Sequence, residues 1–442
     1  MNRSPGWRDG GWDTEKLIGG DHRHLWHPFT QQKLWCDGDQ PLIVSGSGAI
    51  LTDSNGCNYI DGNSSIWTNI HGHCHPRIVS AVSRQMATLD HTSFLGTTHP
   101  TAIELARRLL HLLPRSPLTR VFFSDNGSTA IEAALKMTLQ YWQLRGNTER
   151  RRFACFSNAY HGDTAGAASL GGISAFFDRF EGMHFPVERF TCMEELGAFT
   201  APERLAAVII EPLIQGAAGM RVWPAGMLRS LRDFCDSIGA LLILDEVMTG
   251  FGRTGSMFAC QREDVVPDLL CLAKGITGGV LPMAATLVRE NIYDAFLGNV
   301  EEQKTFLYGH SYTANPPACA AALASLDLFD EEKTLEHLQP KIAHLARLLE
   351  TLLAIPCVAE IRQCGFIAGI EVLKEKESIT PFSLGDQIGT KICVAARKHG
   401  LLTRPIKDTV VLMPPLCITS VQLELAVDAL GKAILEVCGS KG

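Results

Sequence analysis

Three short apolar runs in the middle of the chain, residues 207–210, 240–244 and 269–272, set its organisation. Each has strand length and is bounded by turn residues, as strands buried on both faces of a parallel sheet are. Between the first two, Met227, Leu228, Leu231, Phe234, Cys235 and Ile238 recur at helical spacing, and Gly239 supplies a stop. This stretch predicts a βαβ unit. The same patterns predict helices over residues 78–89 and 101–113 and strands over 120–124, 153–156 and 283–288. A long helix opens at Asn126, Gly127, Ser128 and Thr129. Upstream, residues 42–61 alternate short strand patterns with SGSG and SNG turns, which predicts a small antiparallel meander. Residues 1–20, rich in Gly and charge, are expected to be poorly ordered, whereas Trp26 and Phe29 are expected to be buried.

From about residue 327 the pattern shifts to a polar helix over 332–353, then VAEIRQ, FIAGIEV, a helix ending near Gly400, LLTRPI, TVVLMPP and a last helix after Thr419. Three parts are therefore expected: an N-terminal segment with the meander (1–75), a large domain (76–326) and a smaller C-terminal α/β domain (327–442).

Composition narrows the class. Hydrophobic content of 46% with 20% charged residues is that of a soluble globular chain, and 442 residues can bury a large core. A net charge of -7 argues against nucleic acid and anionic membranes as partners. No apolar run reaches transmembrane length, and the N-terminus lacks the apolar core of a signal peptide. Fourteen Cys without paired spacing, several inside apolar runs, read as thiols in a reducing compartment.

In parallel α/β sheets, ligands bind beyond the carboxyl ends of the strands. Glu211, Asp245 and Glu246 stand at the ends of the first two apolar runs and Lys274 just after the third, so all four are candidates for one shared site. Pyridoxal 5'-phosphate (PLP) needs such a set. Its aldehyde condenses with a lysine whose amine has been made nucleophilic by desolvation, and its ring nitrogen keeps a proton only beside a carboxylate. The start of the long helix at Gly127 and Ser128 suits a phosphate, and equally suits an ordinary Ser/Thr cap. His71, His73, Cys74 and His75 crowd one loop, but zinc sites combine short spacers with a distant second pair, and none follows here; no metal is expected.

The string IIEPLIQGAAGM…LLILDEVMTGFGRTG…PDLLCLAKGITGG resembles the class III aminotransferases of PLP fold type I, over nearly the whole chain. The resemblance implies an α/β fold: a large domain with a mostly parallel sheet flanked by helices, and a smaller α/β domain from the N-terminal segment and the C-terminus. It implies Lys274 and Asp245 as catalytic, with Tyr160 against the cofactor ring and Asp163 in its hydrogen-bond set. Cofactor contacts would come from Gly127, Ser128, Tyr160, Glu211, Asp245 and Lys274, and from His310 and Ser311 reaching a neighbouring subunit. Substrate would meet Phe29, Ile66, Trp67, Tyr160, Lys274, Gly309 and Arg404, the last holding a carboxylate.

Within the class, LWHPFTQ, NAYHGDT and TRPI…LMPP are similar to the branch that serves biotin biosynthesis. That branch implies amination of 8-amino-7-oxononanoate, with S-adenosylmethionine as default donor, in a cytoplasmic homodimer with active sites at its interface. Phe29, Ile66 and Val411 depart from it, standing where Tyr, Trp and Tyr are usual, so the pocket is expected to lose polar tips and aromatic faces. Lysine or a broader donor range is the alternative, as is another class III omega-aminotransferase or an aminomutase.

Overall fold

A computed structural model of the chain describes residues 12–113 and 116–439. The βαβ unit forms as the pattern predicts. The helix Met227–Ile238 buries Met227, Leu228, Leu231 and Cys235, and stops at Gly239, whose φ of 67° an L side chain resists. Its flanking strands, Leu205–Ile210 and Leu241–Asp245, pair in parallel.

These two strands are the middle of a seven-stranded sheet. In spatial order it runs Leu118–Ser124, Ala284–Arg289, Leu269–Leu272, Leu241–Asp245, Leu205–Ile210, Arg152–Phe156 and Glu188–Phe190. Only Ala284–Arg289 runs against its neighbours. Side chains alternate across the sheet. Leu242 and Leu244 join the apolar cluster containing the helix Met227–Ile238, while Leu241 and Ile243 join the one built on the long helix Gly127–Leu144. Both faces are thereby sealed; a polar side chain inside the sheet needs its own partner, as Thr286 has in the Ala130 carbonyl at 3.0 Å.

The meander appears as Ile43–Ser47, Ile50–Asp53 and Asn58–Asp61, antiparallel throughout. Sequence reasoning missed its fourth strand. Leu401–Leu402, from near the C-terminus, adds in parallel beside Asn58–Asp61. LLTRPI is therefore not one strand. Its second half, Pro405–Ile406, belongs to another antiparallel sheet with Val358–Cys364, Ile367–Val372 and Thr409–Leu412.

Two expectations for the N-terminal stretch need correction. Residues 1–11 lie outside the described residues, but Thr14–His24 is a helix, capped by Asp13 accepting from the Lys16 N–H and ending in His22, Arg23 and His24. The Arg23 charge complements the helix dipole. Trp26 and Phe29, expected to be buried, are 88% and 62% exposed in the single chain, since the segment lies across the surface instead of under it. Among the described residues no helix is long and apolar enough to cross a membrane.

Candidate active site

The parallel strands deliver their ends to one place. Asp245 is the last residue of its strand and is nearly sealed from solvent. Its Oδ2 lies 2.7 Å from His161 Nδ1, and its Oδ1 accepts the Val247 N–H at 3.1 Å. His161 is a functional candidate that sequence reasoning passed over. Its only signal was its place beside Tyr160, two strands away from the carboxylate it orients. Its other nitrogen, Nε2, is buried without a partner.

Lys274 begins the turn after Leu269–Leu272 with a φ of 47°, uncommon for a side-chain-bearing residue. Its Nζ lies 4.7 Å from the centroid of the Trp67 ring. Burial pulls the amine down to about 8, against the opposing pull of the Asp245 and Glu211 carboxylates, and Arg253 lowers it further. Arg253, in the GFGRTG turn, is fully buried and donates to the Pro414 and Asn69 carbonyls at 2.7 and 2.5 Å. It is a second residue whose role the motif did not reveal.

Glu211 accepts the N–H groups of Tyr160 at 3.1 Å and Gly216 at 2.9 Å, while burial pushes its carboxyl up to about 7. It fastens the Tyr160 loop to the sheet. Glu246 does not join the site. Backbone alternation turns it away from Asp245, and it accepts the N–H groups of Ala259 and Cys260 at 2.6 and 2.8 Å. Glu246→Ala is expected to cost about 1–3 kcal/mol for each buried N–H left unpaired, read as a lower denaturant midpoint with substrate KM unmoved.

The long helix starts with Asn126 accepting from Thr129 N–H in a capping box, so the first-turn N–H groups of Gly127 and Ser128 have no intrahelical partner. A side chain at 127 would put a Cβ 2.7 Å from Val247 Cγ1, so glycine keeps this end close to the Asp245 turn. Ser128 Oγ accepts the Asp163 N–H at 3.1 Å, and Asp163 accepts the Tyr160 hydroxyl at 2.8 Å. His310 Nδ1 stands 3.4 Å from Asp125 of the same chain, and its neighbours Gly309 and Ser311 are exposed.

Of the remaining candidates, Ile66 is exposed beside the half-buried Trp67, and Arg404 is exposed with no ion pair among the described residues. Val411 does not face a pocket; it is 1% exposed, inside the apolar cluster that Trp67 packs against. The loop histidines go separate ways. His71 pairs with Ser325, His73 with Asp61, and His75 caps the helix Pro76–Thr88.

This donor set fits PLP: a carboxylate for the ring nitrogen, a lysine of lowered basicity for the aldehyde, unpaired N–H groups for the phosphate, and a buried, unpartnered histidine nitrogen. Residues 37–434 match the family model described as aminotransferase class III, and the chain belongs to that family of PLP-dependent aminotransferases. An adenosylmethionine-8-amino-7-oxononanoate aminotransferase from Nitratidesulfovibrio vulgaris is 47% identical, over 96% of this chain and 82% of its own. The crystal structure of the enzyme so named from Methanocaldococcus jannaschii superposes with a TM-score of 0.94 at 38% identity, covering 96% of this chain and all of that one. An amine transaminase from an uncultivated Pseudomonas species, solved in its PLP-bound form, gives 0.89 at 33% identity, covering 94% and 99%.

Proposed function

We propose that the protein transfers an amino group to 8-amino-7-oxononanoate, giving 7,8-diaminononanoate for biotin synthesis. The observation that carries this substrate is the 47% identity over nearly the full chain to a relative that bears that activity in its name. S-adenosylmethionine is the default donor on the same ground, with lysine as the alternative that the changed residues Phe29 and Ile66 favour.

PLP, when bound, supplies an electrophilic aldehyde and an electron sink for the bond broken at the donor α-carbon. Asp245 holds the proton at the ring-nitrogen position, and His161 fixes the carboxylate that does so. Gly127 and Ser128 offer N–H groups to the phosphate, Tyr160 walls the ring, and Glu211 keeps Tyr160 in place. The Lys274 amine, its basicity lowered by burial, would take the proton from the donor α-carbon and later deliver one to the carbon of the second substrate. The donor must leave as its keto product before 8-amino-7-oxononanoate enters, which gives ping-pong kinetics. Trp67 and Ile66 line the approach, and Arg404 binds the carboxylate tail of the keto acid.

Gly309, His310 and Ser311 are assigned to the cofactor phosphate of a partner subunit in a homodimer. Exposed apolar side chains such as Trp26, Leu95, Val300 and Leu307 support such an assembly. A cytoplasmic location suits the thiols, none of which forms a disulfide among the described residues.

The test is production of the diamine, followed by mass spectrometry with each donor in turn. Arg404→Ala should raise KM for the keto acid roughly tenfold or more, the loss of one charge-assisted pair at about 1.5–3 kcal/mol, and leave the donor KM far less changed. No diamine with any donor would overturn the assignment.

A further inference from the structure

The N-terminal segment ends in a small knot. Asp21 accepts from His27 Nε2 at 2.9 Å and from Trp35 Nε1 at 2.7 Å, and the His27 and Trp35 rings stack 3.9 Å apart. The loop closed by this knot carries Phe29 at a φ of 50°, a strained conformation for an aromatic residue. Phe29 is held out from the surface, and one ring meets it. Phe176 lies edge-on to it at 5.7 Å and 70°.

Phe176 also lies edge-on to Tyr160 at 6.0 Å and 80°, and Tyr160 stacks on Phe177 at 6.0 Å. Gly171 makes room for Phe177, since a Cβ there would come within 2.0 Å of its ring. Phe29, Phe176 and Tyr160 thus form a continuous aromatic wall from the surface to the residue whose N–H is fixed by Glu211. Phe176 is its half-buried central member. The lysine amine lies over the Trp67 ring, 4.7 Å from its centroid, and that ring is not a member of this wall.

We infer that Phe176 is a specificity-determining residue for the amino donor, its ring receiving a cationic centre on the donor's distal side chain. The assignment rests on the proposed transamination and names its donor class: an α-amino acid with a positive charge several bonds from the reacting carbon. A sulfonium and an ε-ammonium share this chemistry. Both are drawn to an aromatic face; the carboxylate beside this wall, Asp163, is engaged by the Tyr160 hydroxyl at 2.8 Å, at the end of the wall away from Phe29. Val411, buried behind Trp67, takes no part.

The experiment measures donor affinity in the holoenzyme, from the dependence of the single-turnover donor half-reaction on concentration, for S-adenosylmethionine and for lysine. Norleucine, a neutral chain of similar length, is measured alongside as a competitive inhibitor. Phe176→Leu keeps apolar volume and removes the aromatic face. It should weaken the productive cationic donor by about 3- to 30-fold and norleucine much less, while Phe176→Tyr restores the affinity. Which cationic donor responds identifies the source of the charge. Equal weakening of norleucine, or no change with either cation, would overturn the inference and leave the transaminase reading standing. If the unaltered enzyme makes no diamine with any donor, that reading falls and the inference falls with it.

Discussion

Replacing Lys274 with alanine is expected to lower turnover by about four orders of magnitude, the upper end of what a positioned general acid-base group contributes. The chain should still take up PLP, because the Asp245 carboxylate and the unpaired N–H groups of Gly127 and Ser128 do not depend on the amine. Equilibrium dialysis would show cofactor bound but not fixed by hydride reduction. A variant turning over near the original rate would remove Lys274 from the mechanism.

Its lowered basicity adds a pH signature. With a folded value of about 8 against an ordinary 10.5, the unfolded chain binds more protons between these two limits. Burying the cation therefore costs stability in full below about pH 8, and that cost is relieved as pH rises toward 10.5. The stability gained by Lys274→Ala should shrink across that window, in denaturant titrations of the cofactor-free chain. Attachment of an added aldehyde to the unaltered chain should speed up as pH rises toward about 8 and level off above it. A rate that kept climbing toward pH 10.5 would mean that the amine is solvated like a surface lysine.

Asp245→Asn is expected to cost about two to three orders of magnitude in activity, the size of loss when a preorganised electrostatic partner is removed. The amide can still accept the Val247 N–H, so the strand end keeps its shape and thermal unfolding should move little. It can no longer hold a proton on the cofactor's ring nitrogen, and its contact with His161 Nδ1 loses the negative charge. Activity within a fewfold of the original would show that Asp245 serves the turn alone.

Periodicity made the sheet readable because each buried strand is a local apolar run with its own stop signal, as Gly239 shows. Asp245 and Lys274 were readable for the same reason: each stands at the end of such a run. Direction was not readable. Asp245 and Glu246 are adjacent and chemically alike, yet one faces the site and the other ties down Ala259 and Cys260; only packing separates them. His161 was hidden because its partner is 84 residues away, and Arg253 because a buried guanidinium served by carbonyls leaves no charged partner to look for. Phe29 misled because an exposed aromatic and a buried one have the same letter. Val411 was placed by resemblance in a pocket, and its side chain is packed in an apolar cluster with Ile214, Met220, Met248 and Met413 instead.

The strand Leu401–Leu402 has a consequence for how this protein is made. Ile60 donates to the Gly400 carbonyl at 2.7 Å and Gly62 to that of Leu402 at 2.8 Å, so the edge of the N-terminal sheet is closed by residues some 340 positions downstream. A ribosome adding about 5–20 residues per second leaves that edge bare for tens of seconds after it emerges. Through that interval the nascent chain carries an open β-edge, the kind of surface that pairs with a neighbouring copy or recruits a chaperone. A premature stop anywhere before residue 401 makes the interval permanent. Truncated products of this gene should therefore accumulate as aggregates even when their central sheet is complete.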